Sequence, residues 1–173
     1  GFITDLDNLT YIEVGNGNTV SGCTTSAALG YQNTVSNASS TAFGITNTAS
    51  GLCSSAIGNC NIASGTRTSA IGRSNEAGNL NSSAVGYANC ATGCLGSAFG
   101  YCNLASGEQS ASAFGRSNIA SATSTSAFGI SVLIRSIALT VSYISSLFSS
   151  LYIASLQSIA FSYSRFSIAF SSK

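Results

Sequence analysis

The chain has 173 residues, of which 45% are apolar and only 6% charged, with a net charge of +1; a globular domain carries about 25% charged residues. It contains 18 Gly but no Pro, His, Met or Trp, which excludes a Ser-His-Asp triad, a Cys-His pair, His-ligated zinc or haem and an imidazole pH switch. So small and balanced a charge gives no electrostatic footprint for nucleic acid, and the apolar content argues against a disordered tail.

Residues 1–11 hold Asp5 and Asp7 and alternate weakly, which predicts an N-terminal cap or connecting segment. Residues 12–129 are a repeat. Fifteen residues after a degenerate Glu13-Val14-Gly15 comes Ala28-Leu29-Gly30, followed by Ala42-Phe43-Gly44, Ala56-Ile57-Gly58, Ala70-Ile71-Gly72, Ala84-Val85-Gly86 and Ala98-Phe99-Gly100 at steps of 14. Ala113-Phe114-Gly115 follows after a step of 15, and Ala127-Phe128-Gly129 after 14. Three residues beyond each Gly except the last stands an Asn: Asn18, Asn33, Asn47, Asn61, Asn75, Asn89, Asn103 and Asn118. A small apolar residue follows two positions on, from Val20 and Val35 to Ala105 and Ala120. A second turn column then reads Gly22, Asn37, Gly51, Gly65, Asn79, Gly93, Gly107 and Ala122.

Gly and Asn at two fixed positions mark corners where φ is positive or backbones pass closely. Two corners per 14 residues leave segments of about four or five residues, too short for helices and right for short strands. The chain is therefore expected to be an all-β parallel solenoid of ~14-residue coils stacked at about 4.8 Å, a rod roughly 38 Å long for eight coils. The single bulky residue of each coil (Phe43, Ile57, Ile71, Val85, Phe99, Phe114 or Phe128) is expected to fill a narrow interior. Ser, Thr and Asn columns are expected to form ladders outside. The Asn column reads as structure rather than as a binding ladder, because Asn tolerates the left-handed region and stacked amides bond each other.

Residues 130–173 have no Gly, Asn or acidic residue and are rich in Ser, Ile, Leu and Phe. Ser136-Ile137-Ala138, Ser158-Ile159-Ala160 and Ser167-Ile168-Ala169 keep the repeat's core at irregular spacing, which predicts a degenerate-repeat β segment acting as a cap or assembly interface. Residues 136–156 are uncharged for 21 positions, long enough to cross a bilayer, although Ser dilutes their hydropathy and makes membrane contact the lesser reading. Acids without bases in residues 1–66, and bases without acids in residues 130–173, suit head-to-tail stacking of subunits.

Ser55-Ala56-Ile57-Gly58 followed by Asn61-Ile62-Ala63-Ser64-Gly65, and Ser97-Ala98-Phe99-Gly100 followed by Asn103-Leu104-Ala105-Ser106-Gly107, resemble the YadA-like head repeats of trimeric autotransporter adhesins. The resemblance covers residues 12 to 130. It implies a left-handed parallel β-roll, a homotrimer of side-by-side rolls, and extracellular display on a cell surface as an adhesive module. The same repeat is similar to those of viral and phage fibres, which implies a virion surface as the alternative setting.

Other candidate chemistry is sparse. Of the six cysteines (Cys23, Cys53, Cys60, Cys90, Cys94 and Cys102), no two lie 14 residues apart. Cys90 and Cys102, 12 apart, are the best candidates for an intrachain disulfide between adjacent coils; free thiols filling polar or core columns are the other reading. Cys90 and Cys94 lack a metal ligand set, Gly15 and Gly17 lack a dinucleotide-binding context, and Arg67, Arg73 and Arg116 read as solvated. The mixed column Gln32, Thr46, Cys60, Ser74, Ala88, Cys102, Ser117 does not make an ice-binding face. The expectation is a non-enzymatic adhesive surface protein, without cofactor or metal, that attaches to a host-surface or matrix ligand by avidity. A self-assembling extracellular filament subunit and a viral fibre module are the alternatives.

Overall fold

A computed structural model describes residues 11–21 and 24–134. The expectations for the N-terminal cap, for Cys23 and for residues 136–156 and the rest of the C-terminal segment lie outside these residues, apart from Tyr11 and residues 130–134. Each turn of chain supplies one long and one short strand. The long strands are β1 (Tyr11–Asn16), β3 (Ser26–Tyr31), β5 (Thr41–Ile45), β7 (Ser55–Asn59), β9 (Ser69–Arg73), β11 (Ser83–Tyr87), β13 (Ser97–Tyr101), β15 (Ser112–Arg116) and β17 (Ser126–Ile130). The short ones are β2 (Thr19–Val20), β4 (Thr34–Val35), β6 (Thr48–Ala49), β8 (Ile62–Ala63), β10 (Glu76–Ala77), β12 (Cys90–Ala91), β14 (Leu104–Ala105), β16 (Ile119–Ala120) and β18 (Leu133–Ile134).

The long strands form one nine-stranded sheet and the short strands another, each in sequence order, so the protein is an all-β parallel solenoid, with nine coils among the described residues. Like stacks on like: Ala42 pairs with Ala56, Phe43 with Ile57 and Gly44 with Gly58. The two 15-residue steps leave this register intact, as Phe99 still pairs with Phe114. Regular coiling runs on to Ile134, so residues 130–134 belong to the ninth coil.

The core differs from the sequence expectation. Its buried apolar residues are Ala throughout, except Val35, and all are 0% exposed. One line of Ala comes from the long strands (Ala28 through Ala127) and a facing line from the short strands (Val35, then Ala49 through Ala120). Strand alternation sends the residue after each long-strand Ala the other way. Phe43, Ile57, Ile71, Val85, Phe99, Phe114 and Phe128 therefore point out of the roll, not into it. The interior is about one methyl deep on each side, and Val35 is the one larger apolar side chain fully buried among the described residues.

The corners also carry a correction. The Asn residues do not take the left-handed conformation; the residue before each does, as in Thr46 (φ 53), Cys60 (φ 56) and Ala88 (φ 53). That residue turns outward so that the Asn can turn in. The conserved spacing of Gly44, Gly58 and Gly72 reflects φ values of 116 to 121. Gly51 and Gly65 have no positive φ but do have close neighbours: a Cβ on Gly51 would collide with the Gly65 carbonyl oxygen, at 1.8 Å.

Candidate functional site

Two features could carry function, an internal ladder and an external face. The ladder is the Asn column, buried from Asn33 through Asn118 rather than displayed outside. Asn61 is typical. Its Nδ2 lies 2.9 Å from the Ile57 carbonyl in its own coil, 2.8 Å from the Gly72 carbonyl in the next, and 3.0 Å from Asn47 Oδ1 in the one before. Two N–H donors thus serve three acceptors. Its Oδ1 accepts from the backbone N–H and side-chain amide of Asn75, both at 3.0 Å. The side chain is fully committed, so the column is structural and offers no atom to a ligand. The ladder closes at Val132, whose N–H donates to Asn118 Oδ1 at 2.8 Å.

At the opposite corner a second interior column holds Ser40, Ser54, Thr68, Ser82 and Thr125, all buried. Most bond nearby carbonyls: Ser40 Oγ donates to Gly51 at 2.6 Å and Thr68 Oγ1 to Gly65 at 2.8 Å. Ser54 Oγ alone has no partner.

The external face belongs to the long-strand sheet. Its first column is Val14, Leu29, Phe43, Ile57, Ile71, Val85, Phe99, Phe114 and Phe128, with Phe43 52% and Phe128 62% exposed. The rings of Phe99, Phe114 and Phe128 stack with centroids 5.0 Å apart and planes within 9°. A second column, just after the Gly, runs Tyr31, Ile45, Asn59, Arg73, Tyr87, Tyr101, Arg116 and Ile130, the last 75% exposed. Tyr87 and Tyr101 stack at 5.2 Å; the Arg73 guanidinium lies 5.6 Å from the Tyr87 ring and that of Arg116 lies 5.4 Å from the Tyr101 ring. The two arginines read as merely solvated in the sequence thus close the ends of an aromatic stack. The signal was present in the residue following each Gly, but it is visible only once that position is known to face outward.

Comparison with protein-family models, with curated proteins and with solved structures finds no match to this chain.

The cysteines do not form the expected pair. Cys90 and Cys102 are both free, as are Cys53, Cys60 and Cys94. Cys90 lies on β12 between Glu76 and Leu104 of neighbouring coils, whereas Cys102 occupies the corner column with Ala88 and Ser117. The 12-residue separation places them in adjacent coils but in different columns. Burial, and then the Glu76 carboxylate 3.9 Å from its sulfur, push the Cys90 thiol pKa up, against a smaller lowering by a hydrogen bond to Thr92. No group of His, Cys, Asp or Glu able to hold a metal occurs among the described residues.

Proposed function

We propose that the protein is a non-enzymatic, extracellular adhesive module: a homotrimer of side-by-side rolls that presents a repetitive polar surface to a host-surface or matrix ligand. The observation carrying this reading is the apolar outer face of the long-strand sheet. Five residues of strand width by nine strands give a footprint of about 17 by 38 Å, roughly 650 Å², the same order as the ~800 Å² per partner of a standard protein interface. The Val14-to-Phe128 column runs through it as an apolar stripe beside a mixed column that includes Asn59, Arg73 and Arg116, and an exposed apolar stripe of that length marks a contact surface. The rings of Phe99, Phe114 and Phe128 cover each other's inner faces, which suits packing against protein.

The resemblance of the repeat to YadA-like heads supports three copies, with this face turned toward the shared axis. The short-strand sheet would then carry the outward surface, whose column begins Thr19, Thr34, Thr48 and continues Ile62, Glu76, Cys90, Leu104, Ile119 and Leu133. Such a surface would bind by several weak contacts along its length. Sedimentation equilibrium of the full chain tests the assembly: a trimer is expected, and a folded monomer at all concentrations overturns it. Binding of protein-coated beads to immobilised matrix proteins tests the adhesive role. Multivalent beads should be retained where single trimers wash off, and no retention on any matrix protein overturns that role.

A further inference from the structure

Four of the cysteines fall into two pairs, each at the two ends of one long strand. Cys53 and Cys60 are the left-handed residues that open and close β7, with φ 55 and 56, and both are exposed. Three coils on, Cys102 (φ 53) closes β13, and Cys94 stands one residue before Leu95 (φ 57), the left-handed residue that opens it. Cys102 is exposed and Cys94 half-buried. The strand between the members of a pair holds their Cα atoms roughly 20 Å apart. Cys53 and Cys94, and likewise Cys60 and Cys102, share a corner but lie three coils apart, about 14 Å. The remaining combinations differ in both corner and coil. A disulfide needs Cα atoms within about 7 Å, so no two of these four thiols can bond within one chain.

Between chains the same spacing fits. Two copies lying side by side and parallel, with no axial offset, set the corner that opens β7 in one against the corner that closes β7 in the other. Cys53 then meets Cys60, and the same placement sets Cys94 against Cys102. The corner residues between the two pairs oppose Arg67 to Ser74 and Asn81 to Ala88, a longer side chain to a shorter one each time. A shift of three coils either way would keep only one match. An antiparallel pair would use the thiols of one corner only. The contact without offset uses all four. Being head-to-tail, it closes into a ring of three with no corner left over.

We propose that Cys53 of one chain bonds Cys60 of the next, and Cys94 of one bonds Cys102 of the next, as interchain disulfides that lock three parallel rolls together. In each bond two thiols give up two protons and two electrons; oxidised glutathione takes both and leaves as two reduced molecules. The inference rests on the side-by-side trimer proposed above. To test it, the full-length chain is sedimented in reductant, then oxidised in a glutathione buffer, alkylated and run on a denaturing gel without reductant. The band is expected to move from one chain mass to three, and to return on reduction. Mass spectrometry should find Cys53 linked to Cys60 and Cys94 linked to Cys102. Cys53→Ser should abolish the first link and leave the second, and Cys53→Ser combined with Cys94→Ser should lose the covalent trimer. Circular dichroism checks that both variants keep the fold. Cys60 linked to Cys102 as the main product, or chains left unlinked by oxidation, overturn the inference. Sedimentation in reductant reads the trimer with no disulfide present. A trimer that oxidation leaves unlinked therefore counts against the disulfides alone; a monomer counts against the trimer, while the linked peptides still decide the pairing.

Discussion

The side-chain amide of Asn61 donates to the carbonyl of Gly72, one coil further on, at 2.8 Å. The two residues depend on each other. Gly72 adopts φ 116, which aims its carbonyl at the amide, and a Cβ there would collide with the Gly86 carbonyl oxygen at 2.1 Å. Repeated in coil after coil, this link joins a buried polar column to a backbone only Gly can follow. It takes on much of the cohesion that a larger apolar core would supply, since each buried Ala methyl contributes only about 0.8 kcal/mol.

Asn61→Ala should therefore destabilise the roll by about 3 kcal/mol, because it strands the Ile57 and Gly72 carbonyls and the Asn75 N–H in a dry interior. Asn18→Ala, at the ladder's end and 8% exposed, should cost about 1 kcal/mol. Urea denaturation of the two variants measures the difference. Equal losses would show that position along the ladder does not matter.

The 14-residue step, the strand content and the parallel stacking were legible because Gly and Asn recur without regard to their neighbours. The direction of the side chains was not. Alternation says that Ala56 and Ile57 face opposite ways, and hydrophobicity alone assigns the larger one to the core. One clue pointed the other way. The outward column varies from Val85 to Phe99, while the inward column is Ala at eight successive coils. A close-packed interior in strict register tolerates no such variation in volume. The left-handed corner residues were not legible, because Gln32, Thr46, Cys60 and Ala88 share a backbone conformation but no side-chain chemistry.

Ser54 and Ser40 occupy the same interior column with opposite consequences. Ser40 Oγ donates to the Gly51 carbonyl at 2.6 Å, whereas Ser54 Oγ is buried without a partner. Ala111 shows that the column accepts a methyl. Ser54→Ala should stabilise the protein by about 1 kcal/mol, by removing an unmatched hydroxyl, and Ser40→Ala should destabilise it by a similar amount. Shifts of opposite sign in the urea midpoint are the expected result.

Glycines in this chain are not equivalent. A Cβ on Gly58, at φ 118, would stand 2.0 Å from the Gly72 carbonyl oxygen, while one on Gly78 would meet nothing nearer than Thr92 Cγ2 at 3.4 Å. Gly58→Ala should cost upward of about 3 kcal/mol through clash and backbone strain. Gly78→Ala should gain roughly 0.5 kcal/mol through lower unfolded-state entropy. Thermal melts of both variants check the contrast.

Cys90 should alkylate more slowly than the exposed Cys53, Cys60 and Cys102. Only the thiolate reacts, and burial together with Glu76 raises the Cys90 pKa, whereas Cys53, Cys60 and Cys102 are exposed. The same shift sets the sign of a pH effect. The fold favours the neutral thiol, so this contribution is present below the unfolded thiol's pKa and is lost as pH rises through the higher folded value. Glu76→Gln should speed Cys90 alkylation near pH 8, as followed by mass spectrometry of the labelled peptide. An unchanged rate would assign the shift to burial alone.

Phe114 separates the fold from its assembly. Its ring stacks between Phe99 and Phe128 on the outer face, so Phe114→Ser removes a surface ladder rung and opens no cavity. A core Phe reduced to a small residue would cost about 3–5 kcal/mol; a stacked surface ring contributes about 1 kcal/mol. The substitution should leave the circular dichroism spectrum unchanged and lower the stability of the single chain by no more than that smaller amount. If the long-strand face is the contact between copies, the same variant should sediment as a smaller species than wild type. Loss of the fold would place the Phe column inside after all, and a wild-type sedimentation profile would place the contact on another face.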